Sequence, residues 1–196
     1  MAAHRAILDR ERRGPVRVLF LGDSVTHGWA DVPSIFDEAF GKDAPCNAGV
    51  TLDRVQNVRW RVANGELDGI DPDVILLQVG LENLTLDHEA PAGVARGITA
   101  LVADIHTRRP RAKVVVLDIF PASGGNAEVV RETNDRLAQR ITLRNTGFYR
   151  VGDSIPPSDF PDGLRLSSNG YSKLAKELAT IITTMYYSGS GWPPHP

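Results

Sequence analysis

The chain has 196 residues, 42% of them hydrophobic, enough for one domain with a substantial core and too few to suggest a second. Its formal net charge is -2, with Lys+Arg 22 against Asp+Glu 24, so it offers no basic face for a nucleic-acid backbone. Cys46 is the single cysteine and cannot form an internal disulfide, no apolar run reaches the ~18 residues that span a bilayer, and no apolar signal core precedes Gly14; a cytoplasmic location is expected.

Residues 1–13 form a charged leader that is expected to lack fixed structure. The apolar run 16–21 then reads as a buried parallel strand, and it feeds directly into Gly22-Asp23-Ser24. Helical spacing of apolar residues follows over 51–64. A second strand over 74–79 ends in Gly80, and Pro91 is placed to start a helix over 92–109. A third strand is expected over 114–119, and helices over 128–144 and 168–185. Residues 188–196, rich in Gly and Pro, read as a flexible tail. This alternation predicts an α/β domain over 14–187, a three-layer doubly wound parallel sheet of flavodoxin-like architecture, with sites at the carboxyl ends of its strands.

Four short blocks fall at those ends or on the approach to the last helix. Gly22-Asp23-Ser24 presents a serine at a strand-to-helix turn; Asn47-Ala48-Gly49, Gly80-Leu81-Glu82-Asn83 and Asp162-Gly163-Leu164-Arg165 follow. In this order they resemble the conserved blocks of the SGNH (GDSL-type) hydrolases. Residues 60–67, Trp-Arg-Val-Ala-Asn-Gly-Glu-Leu, followed by Ile70-Asp71-Pro72 and a strand, are similar to the catalytic subunits of intracellular type I platelet-activating factor acetylhydrolase. The likeness runs from about Val16 to about Leu178. It implies an SGNH fold, a small acyl-ester substrate, no metal or organic cofactor, and a homodimer. It also implies that Ser24 is the nucleophile, that Asp162 orients a histidine three residues later, and that backbone N–H groups of Ser24 and Gly49 hold the oxyanion.

Two positions depart from that pattern. Arg165 stands where the histidine is expected, and a guanidinium cannot be a general base. Glu82 stands where the third block carries its oxyanion asparagine, and Asn83 comes one place late. The opposite charges predict that Glu82 and Arg165 face each other, as a salt bridge or as two grips on a charged ligand. His27, three residues after Ser24 on the same helical face, and His88, on the loop after Gly80, are candidate substitute bases. His195 lies in the tail, and His106 is expected on a helix's outer face. Asp23 and Asn47 read as turn and loop ties, Trp29 and Phe120 as pocket-edge or packed aromatics, and Cys46 as a small buried hydrophobe.

Three readings stay open. The first is a Ser24 esterase or acyltransferase impaired by loss of the histidine. The second is a repurposed enzyme or ligand-binding pseudoenzyme that uses Glu82, Asn83 and Arg165. The third is a binding or assembly module built on the same scaffold.

Overall fold

In the computed structural model, which describes residues 2–120, 126–161 and 165–187, the three apolar runs become the centre of a parallel sheet. They are β1 (Val18–Gly22), β3 (Val74–Gln78) and β4 (Lys113–Leu117). Two further strands, β2 (Pro45–Gly49) and β5 (Thr146–Tyr149), add edges that the sequence pattern does not announce, giving the order β2-β1-β3-β4-β5. Both edge strands are short and poor in β-branched residues, so they owe their extended form to pairing with a strong neighbour.

Side chains alternate across the sheet, and both faces are covered, which is why the central strands are apolar without a break. Leu19, Leu21, Ile75, Leu77, Val114 and Val116 enter one core. That core lies under α4 (Val55–Ala63), α6 (Pro91–Arg108) and α7 (Ala127–Arg140). Val18, Phe20, Val74, Leu76, Val115 and Leu117 enter the other, under α3 (Pro33–Phe40) and α8 (Ser168–Tyr187). The expected doubly wound α/β architecture is therefore present. Among the described residues no helix is long and apolar enough to cross a membrane.

The leader is a correction to the sequence reading. Residues Ala2–Glu11 form a helix, α1, and it is docked through His4, Ile7 and Glu11, all buried. His4 places Nδ1 3.3 Å from Glu66 Oε2 and Nε2 3.2 Å from the Asn64 carbonyl oxygen, and its ring meets Trp60 edge-on at 5.3 Å. A weak amphipathic pattern in a charged segment conceals this, because one isoleucine and two polar side chains supply the contact.

Glu11 carries a cost in that arrangement. Its Oε1 is buried without a hydrogen-bond partner, and burial, reinforced by the charge of Glu66, pushes its carboxyl up to about 8 from 4.5. The folded state therefore holds a proton that the unfolded chain releases, and the associated stability is full below pH 4.5 and lost as pH rises through 8. Glu11→Gln cannot titrate, so its Tm is expected to gain on the unmodified chain as pH goes from 5 to 9. Parallel Tm–pH curves for the two proteins would show that Glu11 is not buried as described.

Candidate active site

The site is built where the chain leaves β1. Gly22 pairs with Gly49 of β2 on one side and Gln78 of β3 on the other. A Cβ on Gly22 would lie 2.1 Å from the Gln78 carbonyl oxygen and 2.2 Å from Thr26 Oγ1, so only glycine permits the tight exit. Asp23, 1% exposed, then caps the short helix α2 (Ser24–His27), one carboxylate oxygen accepting from the Val25 N–H and the other from the Gly80 N–H, both at 3.2 Å. One side chain thus ties the serine turn to the end of β3. Tyr171, from α8, donates its hydroxyl to the Val25 carbonyl at 2.7 Å and holds the same turn from the other face.

Ser24 follows Asp23 at the crevice between β1 and β3, the point at which the strand order changes direction. Its Oγ accepts the Leu52 N–H at 2.8 Å and donates to Glu82 Oε1. Leu52 is in the left-handed region, φ 64°, which costs a non-glycine residue about 1 kcal/mol and here turns the N–H toward the serine while the side chain stays exposed. Glu82 lies on the single-turn helix α5 (Leu81–Thr85), reached through Gly80 at φ 125°, where a Cβ would come within 2.9 Å of Ile119 Cδ1.

Glu82 is 4% exposed, and its Oε2 accepts no hydrogen bond from an ordinary donor. Its carboxyl neighbour is Asp23. Burial first, then the charge of Glu82 and a hydrogen bond to it, hold Asp23 well above the usual carboxylate range. Carboxylates buried side by side repel, and that repulsion favours the protonated form of Asp23. Glu82 itself accepts the serine hydroxyl.

Around this pair lie other charged groups. Arg54 grips Asp87 with two bonds, Nε–Oδ2 at 2.8 Å and Nη2–Oδ1 at 2.7 Å, and so fastens the loop before α4 to the loop after α5. That guanidinium holds Asp87 below its ordinary range. Arg61, 3% exposed, donates to Asp53 Oδ2 at 2.8 Å, to Glu66 Oε1, and to the Gly22 carbonyl at 3.1 Å. Burial outweighs this attraction at both acids, whose carboxyls lie above their ordinary values.

Several expectations are corrected here. Glu82 does not turn toward Arg165: it is sealed against Ser24 and Asp23, while Arg165 is exposed. Gly49 donates its N–H to Asn47 Oδ1 at 2.9 Å, so that donor is already engaged. Asn47 also reaches the His27 carbonyl at 3.4 Å and is the loop tie it reads as in sequence. His27 is exposed, with Nδ1 donating to the Gly49 carbonyl at 3.3 Å, and His88 is exposed in a left-handed turn, φ 53°. Ser24 Oγ is bonded to Glu82 and Leu52 and to neither histidine. Asn83 is scaffold: its Oδ1 accepts the Val55 N–H at 3.0 Å, and its Nδ2 donates to Gln56 at 3.0 Å and Glu89 at 2.9 Å. His106 is not on an outer face; its Nε2 lies 2.6 Å from Thr146 Oγ1, between α6 and β5. Asp162, and the tail with His195, lie outside the described residues.

Trp29 and Phe120 are packed, at 3% and 1% exposure. Cys46 is buried, its thiol pushed up to about 11 by desolvation. Leu52 and Arg61 have site roles that sequence reasoning misses. Leu52 acts through its backbone, which leaves no side-chain signal, and Arg61, though inside the 60–67 motif, gives no sign in sequence of the acids it joins.

A serine at the turn after the first strand of a β2-β1-β3-β4-β5 parallel sheet, facing the crevice beside β3, defines an α/β acylhydrolase architecture. The chain belongs to the GDSL-like Lipase/Acylhydrolase family, whose profile matches residues 20–173. It is 35% identical over 196 residues to platelet-activating factor acetylhydrolase IB subunit alpha2 of Homo sapiens, covering 93% of this chain and 82% of that one. In fold it is similar to a GDSL-like lipase from Bacteroides thetaiotaomicron, with a TM-score of 0.76 at 15% identity over 93% of this chain and 97% of the other. It is also similar to Est24, a carbohydrate acetylesterase from Sinorhizobium meliloti, with a TM-score of 0.72 at 18% identity over 87% and 99%.

Because Arg61 bonds two buried acids and the carbonyl that precedes the Asp23-Ser24 turn, Arg61→Ala leaves buried charges unpaired and is expected to lose about 3–5 kcal/mol in urea unfolding. A loss under about 1 kcal/mol would mean that the network is solvated and holds nothing in place.

Proposed function

We propose that the chain hydrolyses or transfers the acyl group of a small ester through Ser24, at a turnover well below that of relatives with a complete histidine-containing triad. One observation carries the reading: Ser24 Oγ is fixed at the strand-order crevice between an N–H donor, Leu52, and a carboxylate acceptor, Glu82. A hydroxyl so placed has its proton directed at an acceptor and lone-pair density left for attack. Arg165 at the histidine position supports low turnover, since a guanidinium stays protonated and loss of a triad member commonly costs about 10⁴ to 10⁶ in kcat. The charged-ligand reading has less support, because Glu82 is engaged with Ser24 and the polar atoms of Asn83 are bonded to Val55, Gln56 and Glu89.

Platelet-activating factor acetylhydrolase and a carbohydrate acetylesterase among the similar proteins make an acetyl ester the first substrate class to try. The first of these is named as a subunit, and on that ground we extend the proposal to self-association of this chain as a homodimer.

The test is a fluorophosphonate probe read by intact mass, together with hydrolysis of 4-nitrophenyl acetate. A single adduct on Ser24 and slow hydrolysis are expected, both lost in Ser24→Ala, with faster labelling in Arg165→His. Hydrolysis that continues unchanged in Ser24→Ala would end the proposal.

A further inference from the structure

Glu82, one of the two acids beside the serine, departs from the family pattern, and its geometry suggests a use. We infer that Glu82 is the general base for Ser24, accepting on the carboxylate of α5 the hydroxyl proton that a histidine would otherwise take. The inference rests on the reading of Ser24 as the acylated residue. Glu82 Oε1 is the acceptor of the Ser24 hydroxyl, while the Leu52 N–H, at 2.8 Å, fixes the rotation of that hydroxyl by occupying a lone pair of Oγ. No loop closure or side-chain swing is needed to bring base and nucleophile together, in contrast to His27 and His88.

The groups that face Glu82 suit the task. Asp23, from the β1–α2 turn, is buried beside it and held above the ordinary carboxylate range; Asp53, before α4, acts on the same cluster but is paired to Arg61; Arg54, from the same loop, is paired to Asp87. A proton favoured on Asp23 spares Glu82 a second adjacent negative charge. Taking up the Ser24 proton neutralises Glu82 as negative charge develops on the carbonyl oxygen. As Ser24 Oγ bonds to the acyl carbon, its proton passes to Glu82, and the carbonyl electron pair moves onto oxygen beside a carboxylic acid. When the ester C–O bond breaks, Glu82 returns the proton to the departing alcohol oxygen. Water then attacks the acyl-serine, giving a proton to Glu82; the acyl–Oγ bond breaks, Oγ regains that proton, and the acid product departs.

The obvious alternative is that Glu82 only anchors the hydroxyl, and Glu82→Gln separates the two roles. Glutamine keeps the shape and an oxygen acceptor but cannot take the proton. In the full chain, the fluorophosphonate labelling rate of Ser24 is expected to fall about 10²- to 10⁴-fold in Glu82→Gln at unchanged Tm. In Glu82→Ala, rate should be restored by added formate, a carboxylate small enough to enter the vacated space. Labelling of Glu82→Gln within a few-fold of the unmodified chain, or formate-independent labelling of Glu82→Ala, would overturn the base role while leaving Ser24 as the nucleophile. An unmodified chain that labels no faster than Ser24→Ala would instead remove the serine reading, and the role of Glu82 with it.

Discussion

Parallel register is the constraint on which the rest of this molecule depends. Because β1 is paired on both sides, with Gly22 level with Gly49 and Gln78, the chain segments that follow β1, β2 and β3 emerge at one height on one edge of the sheet. A shift of one residue in β1 would turn Phe20 and Leu21 into each other's cores and carry Asp23 away from the Gly80 N–H. The burial of both sheet faces therefore fixes the position of the serine turn relative to α5 to within hydrogen-bond distance. Asp23 converts that alignment into a bond, and Arg61 and Tyr171 brace the turn from the two helical layers.

Burying acids is the fold's recurring electrostatic problem, and it is solved in two ways. Asp53 and Glu66 are paired with one arginine, whose fork also holds the Gly22 carbonyl. Asp23 and Glu11 are held above the usual carboxylate range, the first by burial beside Glu82 and the second by desolvation beside Glu66. The acids differ in consequence. Protonation at Glu11 bears on the docking of the first helix, whereas protonation at Asp23 removes a negative charge beside the group that touches the serine.

The family's catalytic pattern and this chain's departures from it act on one another. Replacement of the expected asparagine by Glu82 looks from sequence like an isolated insult to the oxyanion site, answered at a distance by Arg165. In three dimensions Glu82 belongs to the serine turn: it accepts the Ser24 hydroxyl and is buried with a carboxyl partner. Asn83, one place later on the same helical turn, faces away toward Val55, Gln56 and Glu89, since adjacent helical residues do not share a face.

The sequence by itself determined the class of fold and the place of the serine turn. Three continuous apolar runs are fully buried parallel strands because no alternation is needed when both faces are covered, and Gly22-Asp23-Ser24 marks a turn that only small and capping residues can make. Tertiary structure alone decided the rest. The edge strands β2 and β5 are extended because a neighbour pairs with them, α1 is a docked helix because His4, Ile7 and Glu11 find a surface, and the Leu52 N–H reaches Ser24 through a backbone angle that no residue type announces. Above all, the partner of Glu82 was a question of direction. Charge complementarity ranks Arg165 first in the sequence, but attraction between exposed charges is screened and weak, whereas burial beneath the serine turn leaves a carboxylate only the neighbours that the packing supplies, Ser24 and Asp23.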